Sequence, residues 1–240
     1  MPSPALAALE GRGIGKVFGS GDLAARALHP TDVAVYRREV LVIMGPSGSG
    51  KTTLISILGL VLTPTEGEVL VEGKRVAGAS ADALAQLRRD RVGLIFQQFN
   101  LLAGLSALEN VALPLLLRGE SAKDRAAHAR RALDLVAMGD KVGAKARLLS
   151  GGQQQRVAIA RALVADAAVL LCDEPTASLD GRTGRDVLDT LARLAREQDR
   201  AVVIVTHDDR VLRIADRLIH VEDGRATEEA PSDLRSRRTA

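Results

Sequence analysis

The feature that most constrains the fold of this chain is a glycine-rich turn between a buried strand and a helix. The strand is predicted at residues 40–44, an unbroken apolar run, and a helical pattern begins at Lys51. The turn has the pattern Gly-x4-Gly-Lys-Thr over residues 45–52. Glycines let successive backbone N–H groups surround an anion, and the helix N-terminus adds partial positive charge, so this arrangement predicts a phosphate-binding loop.

The residue types in the loop predict that it binds ATP with Mg²⁺ and supports ATP hydrolysis. Lys51 is expected to reach the terminal phosphates, and Thr52 offers a hydroxyl to Mg²⁺. The alternative is a glycine-rich turn with an exposed lysine. This interpretation is weaker because a predicted strand precedes the turn and a predicted helix follows it. The predicted ATP-binding residues are Gly45, Pro46, Ser47, Gly48, Ser49, Gly50, Lys51, Thr52 and Thr53.

Composition narrows the class of protein. The 240 residues suffice for one large domain, and 46% hydrophobic and 26% charged residues are ordinary for a soluble protein. A net charge of +3 is too small to indicate nucleic-acid binding. The single cysteine, Cys172, excludes an intrachain disulfide, and we expect no signal peptide. The apolar run at residues 54–62 is far shorter than the ~20 residues of a membrane span, so any span is expected in another chain.

Two more apolar runs, residues 168–172 and 201–205, predict parallel strands buried on both faces. Asp173 and Glu174 end the first run, at the strand end where ligands gather in such sheets. Asp173 is expected to hold Mg²⁺ through its water shell, and Glu174 to act as general base on the attacking water. Alone, an Asp-Glu pair is equally well interpreted as two surface acids that open a loop. The phosphate loop and the buried strand favour the catalytic interpretation.

A second glycine-containing turn precedes a predicted helix at residues 157–164. Ser150 is a suitable N-cap, and Gly151 and Gly152 expose backbone N–H groups, which together form a possible second anion site. Physical reasoning alone favours a simpler interpretation, a capped helix after a flexible turn. The alternative is a dimer in which each turn contacts the nucleotide held by the phosphate loop of the other copy.

With these features together, residues 12–225, approximately, resemble the ATP-binding subunits of ABC transporters. The run Ser150-Gly151-Gly152-Gln153 is similar to the signature of that family. The resemblance implies a head-to-tail homodimer with two bound ATP molecules, each between one phosphate loop and the signature of the partner. It also implies that ATP is hydrolysed to ADP and phosphate to drive transport.

The resemblance assigns roles to residues that simpler explanations also fit. It implies that Gln97 contacts Mg²⁺ and the attacking water, and that His207 contacts the γ-phosphate. Ser178 and Asp180 would lie in a loop that crosses the dimer interface, and Phe18 would stack on adenine, where the family generally has tyrosine. Taken singly, Gln97 can be an amide at a strand edge, and Asp180 and His207 can cap helices. Phe18 can simply pack against a strand.

The resemblance also implies a fold and a division of the chain. We expect an α/β fold, with a P-loop NTPase core built on a mostly parallel sheet, an N-terminal antiparallel β subdomain and an inserted α-helical subdomain. The whole chain, residues 1–240, would form a single ATPase domain. Its expected parts are a catalytic core at about 12–97 and 166–225, a helical subdomain at about 98–165 and a flexible tail at about 226–240.

Within the family, residues 96–102 and 107–111 look most like the lipoprotein-releasing and macrolide-exporter group. The resemblance implies that residues 97–110 receive an integral membrane permease subunit. The chain would then lie peripherally on the cytoplasmic side of the inner membrane, without a nucleic-acid partner. Two departures stand out: Arg38 precedes Glu39 where the family often has glycine, and residues 143–148 lack proline and aromatic side chains. The sequence does not identify the transported substrate, which the permease would select.

Two other classes of function share the phosphate loop. ABC-type ATPases that act on nucleic acid or ribosomes usually carry two ATPase units or long coiled coils, and this chain has neither. A P-loop kinase would transfer phosphate to a small acceptor. The motif at residues 150–156 and His207 argue against a kinase.

Overall fold

Two β-sheets and six α-helices make up the described part of the chain, residues 6–230 and residue 234, in a computed structural model. The strands are β1 (Leu9–Phe18), β2 (Ala25–Val35), β3 (Val40–Met44), β4 (Glu66–Val71), β5 (Lys74–Arg75), β6 (Val92–Ile95), β7 (Val169–Asp173), β8 (Ala201–Thr206), β9 (Arg217–Glu222) and β10 (Arg225–Glu228). The helices are α1 (Lys51–Leu58), α2 (Ala81–Arg91), α3 (Ala107–Leu117), α4 (Ala122–Leu135), α5 (Gly151–Leu163) and α6 (Gly181–Glu197). Short 3-10 turns cover Gly21–Leu23, Gly139–Lys141, Ala146–Leu148 and Asp209–Arg213.

The central sheet has the strand order β10-β9-β3-β8-β7-β6. The strands from β9 to β6 run parallel, and β10 pairs antiparallel with β9 at one edge. Because β3, β7 and β8 are buried along almost their whole length, their sequences are continuous apolar runs rather than alternating ones. The mostly parallel sheet expected from those runs is confirmed.

The second sheet is antiparallel and has the order β2-β1-β4-β5. Strands β4 and β5 form a hairpin, whose turn has Glu72 at φ 48° and Gly73 at φ 76°. Apolar side chains of β1, β2 and β4 share one core cluster with α1 and with one face of the central sheet. The expected N-terminal antiparallel sheet is therefore present, and it covers the central sheet from that side.

Alternate residues of the central strands enter different cores. Leu41, Leu171 and Val203 belong to the cluster that contains α1, whereas Val42 and Ile204 pack against the helices α3 to α6. Cys172 packs in the core that contains the helices α3 to α6. It is fully buried, and this burial raises the pKa of its thiol. Both faces of the sheet are thus covered, which leaves its strand ends as the place for a polar site.

Helices α3, α4 and α5 lie within residues 98–165, the segment expected to be helical. Two of them begin with a capping box, in which a serine and a residue three positions later bond to each other's backbone N–H. Ser106 and Glu109 form the box of α3, and Ser150 and Gln153 form that of α5. Such caps fix where each helix starts, and therefore where the turn before it lies.

The first residues of the expected flexible tail form a strand in the structure. Arg225–Glu228 forms β10, which pairs with β9 from Arg225 opposite Glu222 to Glu228 opposite Ile219. This strand has no apolar run in the sequence, because three of its four residues are polar or charged. Such a composition is tolerated in an edge strand. The expectation for residues 231–233 and 235–240 lies outside the described residues.

The two departures from the family pattern have local structural counterparts. Arg38 adopts φ 67°, the left-handed region in which glycine is favoured, so the turn keeps its conformation without glycine. Backbone bonds hold the segment without proline or aromatic residues, since the N–H groups of Ala107 and Leu108 donate to the carbonyls of Ala144 and Val142. The segment before the signature is thus tied to the first turn of α3.

None of the helices in the described residues is both long enough and apolar enough to span a bilayer.

Asn110 fixes the loop that leads into α3. The side chain is fully buried, and its amide oxygen accepts from Leu102 N at 2.8 Å. Its amide nitrogen donates to the carbonyl oxygens of Leu102 at 3.1 Å and Ser106 at 3.0 Å. One buried side chain therefore gives Leu102 N its partner and adds a second donor to two carbonyls that also accept backbone bonds.

Replacing Asn110 by leucine is expected to lower the free energy of unfolding by about 2–4 kcal/mol, because Leu102 N loses its partner and the side-chain hydrogen bonds that hold the loop are lost, while the volume is nearly kept. Urea unfolding measures the change. The exposed Gln98→Leu variant is the matched control and should change stability by less than about 0.5 kcal/mol. Equal stability of the two variants would contradict this role of Asn110.

Candidate nucleotide site

Three neighbouring strands bring the predicted residues to one edge of the central sheet. β3 pairs with β8 so that Met44 lies opposite Thr206, and β8 pairs with β7 so that Val205 lies opposite Asp173. The phosphate loop follows Met44, Glu174 follows Asp173, and His207 follows Thr206. Parallel pairing therefore places all three groups at the same carboxyl edge.

The backbone of the loop needs glycine at particular positions. Gly45, Gly48 and Gly50 have φ angles of 155°, 79° and 105°. A Cβ on Gly45 would lie 2.0 Å from the carbonyl oxygen of Val221, and one on Gly50 would lie 2.5 Å from that of Ala27. The loop is thus both unusual in conformation and tightly packed from behind, as expected of a concave anion site.

Lys51 is held inside the curve of the loop. Its Nζ donates to the carbonyl oxygens of Gly45 at 2.8 Å and Pro46 at 2.7 Å, and the residue is only 8% exposed. Ser49 lies beside it with a buried hydroxyl oxygen that has no hydrogen-bond partner among the described residues. A buried cation without a carboxylate partner, next to an unused hydroxyl, fits a phosphate group that enters the loop.

Asp173 and Glu174 occupy different environments. Burial and the charge of Glu174 raise the pKa of Asp173, and the charge of Lys51 opposes this change. Glu174 has φ 49°, and its Oε2 accepts from the hydroxyl of Thr206 at 2.8 Å. Its Oε1 lies 2.7 Å from Nδ1 of His207. The predicted general base and the predicted γ-phosphate contact are therefore paired with each other.

The predicted Mg²⁺ ligands supply only part of a coordination shell. Thr52, Gln97 and Asp173 offer one hydroxyl, one amide and one carboxylate, all oxygen donors of the kind that Mg²⁺ prefers. Among the described residues, no group of three or more His, Cys, Asp or Glu side chains could hold a metal ion. The donor set fits a cation that takes its other ligands from phosphates and water, as Mg²⁺ does in nucleotide sites. Thr52 and Gln97 are both exposed.

Phe18 ends β1 beside the loop. Its partner across the sheet is Ala25 of β2, and two residues further on the carbonyl of Ala27 packs against Gly50. The ring is 45% exposed, and Nζ of Lys16 lies 5.4 Å from its centre, within the range of a cation–π contact. The pairing of β1 with β2 thus puts an accessible aromatic ring on the strands next to the loop.

The second predicted anion site is the start of α5. Ser150 Oγ accepts from Gln153 N at 3.4 Å, and Gln153 Oε1 accepts from Ser150 N at 3.0 Å. The capping interpretation is therefore observed, and the role of Gln153 in the cap is a feature that Ser-x-x-Gln spacing could have revealed. A Cβ on Gly152 would lie 2.1 Å from Cγ2 of Thr183, so the glycine lets α5 approach α6 closely.

The helix-cap interpretation is also observed for Asp180. Its Oδ1 accepts from the N–H groups of Thr183 and Arg182, both at 3.0 Å. These bonds, that from Thr183 foremost, lower the pKa of Asp180. Ser178 is exposed in the loop just before it. A contact of either residue with a second copy stays a prediction.

Four polar residues near Glu174 and His207 were not identified from the sequence. Thr206 and Asp208 flank His207, Arg210 follows in the next turn, and Thr176 lies in the loop after Glu174. Their side chains bond to one another and to Glu174. The run Thr-His-Asp directly after a buried strand is the signal that could have drawn attention to them.

This site belongs to a known class. A strand-loop-helix phosphate site, an acid pair at the end of a strand of the same sheet, one strand further along, and a capped glycine turn define an ATP-binding cassette of the P-loop α/β fold. The family model described as "ABC transporter" matches residues 28–177. The chain therefore belongs to the ABC transporter family, and the resemblance read from its motifs is confirmed.

Similar proteins place the chain within that family. It is 48% identical to the macrolide export ATP-binding/permease protein MacB 1/2 of Paracoccus denitrificans over 214 residues, which are 89% of this chain and 32% of that protein. It is 43% identical to an uncharacterized ABC transporter ATP-binding protein of Thermotoga maritima, over 88% of this chain and 89% of that protein. The chain thus spans about a third of the macrolide exporter and most of the second relative.

A solved structure confirms the fold. The dimeric ATP-binding cassette MJ0796 of Methanocaldococcus jannaschii, in a post-hydrolysis state bound to ADP and Pi, superposes with a TM-score of 0.83 at 39% identity. The match covers 93% of this chain and 98% of that one. The expected P-loop α/β fold is therefore shown by comparison as well as by topology.

Gly45→Ala is expected to weaken ATP binding at least about tenfold, because the new Cβ would collide with Val221 O and strain the loop. Nucleotide titration measures the affinity. Gly78→Ala is the control, since Gly78 also has a positive φ, 79° against 155° at Gly45, but has open space around it and lies outside the loop. If both variants bound ATP equally well, close packing behind Gly45 would not matter for binding.

Proposed function

We propose that two copies of this chain bind two ATP molecules with Mg²⁺, hydrolyse them, and drive a separate integral membrane permease. The observation that carries the proposal is the convergence of the phosphate loop, Glu174 and His207 at one sheet edge, on a chain that also has the Ser150–Gln153 turn. The relatives support it, since one is named as a macrolide export ATP-binding/permease protein and another is a dimeric cassette. An exporter or a lipoprotein- or lipid-extraction system is the proposed setting.

Binding of ATP rests on the loop and its lysine. The backbone N–H groups of residues 45–52 and Nζ of Lys51 would surround the β- and γ-phosphates, and Phe18 would stack on the adenine ring. Thr52, Gln97 and Asp173 would hold Mg²⁺, which supplies charge neutralisation at the phosphates. The raised pKa of Asp173 reflects a partly buried carboxyl group. A nearby cation would favour its ionised form.

Hydrolysis requires that Glu174 accept a proton from water. Both of its oxygens already have partners, Thr206 on one side and His207 on the other. The side chain of His207 is 72% exposed, so it can turn toward a γ-phosphate. Such a turn would leave Oε1 of Glu174 free for the attacking water, and it would place a donor where negative charge develops.

In the proposed dimer, the Ser150–Gln153 turn of one copy completes the nucleotide site of the other. In the described residues, the turn at Ser150–Gln153 makes no hydrogen bond to the phosphate loop of its own chain. A head-to-tail dimer would bring the turn of one copy onto the nucleotide of the other, with Ser178 and Asp180 at the interface. ATP would then close the dimer, and hydrolysis would open it.

The permease is proposed to contact residues 97–110. Phe96 and Leu102 are 41% and 53% exposed, and Leu148 of the neighbouring segment is 71% exposed. Exposed apolar side chains near one loop suit a protein partner better than water. The chain would sit peripherally at the cytoplasmic face of the inner membrane, with residues of about 98–165 moving as a helical subdomain against a core of about 12–97 and 166–225.

Phosphate release without an added acceptor is the first test of this function. The expected result is steady ATP hydrolysis by the purified chain, since water is the acceptor. Phosphate transfer that needed a small-molecule acceptor would instead support a kinase.

Glu174→Gln is expected to keep ATP binding and ATP-dependent dimerisation while turnover falls at least about 100-fold, because the amide cannot take a proton. Steady-state kinetics, nucleotide titration and gel filtration with ATP give the three readouts. The exposed Glu197→Gln variant serves as control and should retain normal turnover. Near-normal turnover of Glu174→Gln would rule out Glu174 as the base.

Ser150→Arg is expected to impair hydrolysis at least about tenfold, because a large cation replaces the cap at the proposed interface. ATP affinity of the monomer, measured by titration at low protein concentration, should stay unchanged. The matched control is Ser121→Arg, at the cap of α4. Equal loss of monomer affinity and of turnover in Ser150→Arg would show that Ser150 serves its own loop and not that of a partner.

A further inference from the structure

A series of side-chain hydrogen bonds begins at the end of β8. Thr206, the last residue of that strand, is 1% exposed. Its Oγ1 donates to Glu174 Oε2 at 2.8 Å and accepts from Asp208 N at 3.1 Å. Because the N–H of Asp208 can only donate, the single hydroxyl proton of Thr206 is committed to Glu174.

Asp208 continues the series to the loop after Glu174. Its Oδ2 accepts from Thr176 Oγ1 at 3.1 Å, and its Oδ1 accepts from Arg210 N at 3.0 Å and Arg210 Nε at 2.9 Å. Burial opposes the charged form of Asp208, but the bonds from Arg210 and Thr176 outweigh it and lower the pKa. Asp208 is thus a fixed, ionised acceptor that joins two loops.

Arg210 extends the contact to the start of α6. A Cβ on Gly184 would lie 3.0 Å from an η nitrogen of Arg210, and one on Gly181 would lie 3.8 Å from it. The hydrogen bond to Asp208 and, more weakly, the charge of Asp180 raise the pKa of the guanidinium. The guanidinium therefore packs close to the first turn of α6, and the loop before that helix is bonded through Thr176 to the segment that carries His207.

We propose that Thr206 is a positioning residue for Glu174, and that Asp208 connects it to Thr176 in the loop proposed to meet the second copy. This inference rests on the proposed role of Glu174 as general base. One Thr206 hydroxyl fixes the carboxylate, and the same hydroxyl is held by the backbone of Asp208. A displacement of Thr176 would therefore reach Glu174 through three hydrogen bonds, by way of Asp208 and Thr206, without passing through the nucleotide.

Thr206→Val removes the hydroxyl and keeps the shape. The expected result is a fall of kcat by roughly 10- to 100-fold, with KM for ATP and ATP-dependent dimerisation changed less than about threefold, because only the orientation of the base is lost. Thr206→Ser restores the hydroxyl and should return kcat to within about threefold of the original. Thr206→Ala removes the hydroxyl by a second route and should match valine. Circular dichroism and urea unfolding check that each variant is folded.

A buried threonine elsewhere gives the matched control. Thr190 in α6 is 5% exposed and donates to Asp186 O at 2.8 Å. Thr190→Val should leave kcat and KM unchanged. If Thr206→Val and Thr206→Ala kept normal kcat while Glu174→Gln lost turnover, the positioning role would be overturned and the base would stand. If Glu174→Gln also kept turnover, the proposed function itself would fail.

A double-mutant cycle tests the connection through Asp208. Thr176→Val should lower kcat by roughly 3- to 10-fold, and the double variant Thr176→Val/Thr206→Val should be no slower than Thr206→Val alone, because both changes break one series of bonds. Thr176→Ser should be close to the original. Independent effects that multiply in the double variant would overturn the connection between the loop and the base.

Discussion

The phosphate loop, Glu174 and His207 come together because β3, β8 and β7 pair in parallel. The register of these strands sets Met44 opposite Thr206 and Val205 opposite Asp173, so that three short polar segments start side by side. A shift by one residue would exchange the two faces of a strand that is buried on both, and it would separate the phosphate loop from Glu174. Apolar packing of the interior thus determines the geometry of a site that contains almost no apolar group.

The large features were predictable because each has a local cause. Unbroken apolar runs predicted β3, β7 and β8, and glycine spacing predicted the loop at residues 45–52. The pairing of Glu174 with His207 was not predictable, since 33 positions separate them and only the tertiary structure joins them. The strand at Arg225–Glu228 was missed because an edge strand carries little apolar signal. The side-chain hydrogen bonds among Thr176, Thr206 and Asp208 follow no periodic sequence pattern, so they could not be predicted either.

The relatives and the structure together show which part of an ABC transporter this chain corresponds to. It spans about a third of a macrolide exporter and nearly the full length of a solved cassette, so the shared part is the ATP-binding unit. Departures from the family pattern are absorbed locally: Arg38 adopts a glycine-like φ of 67°, and backbone bonds from Ala107 and Leu108 hold residues 142–144.

The capping box at Ser150 and Gln153 has a consequence for a protein that would alternate between paired and separate copies. A helix start built to meet the anion of another molecule would be left unsatisfied whenever that molecule departs. Here the two side chains bond to the backbone N–H groups of their own turn. The N–H groups of Ser150 and Gln153 therefore keep their partners when the two copies are apart, and the start of α5 stays capped without a second molecule.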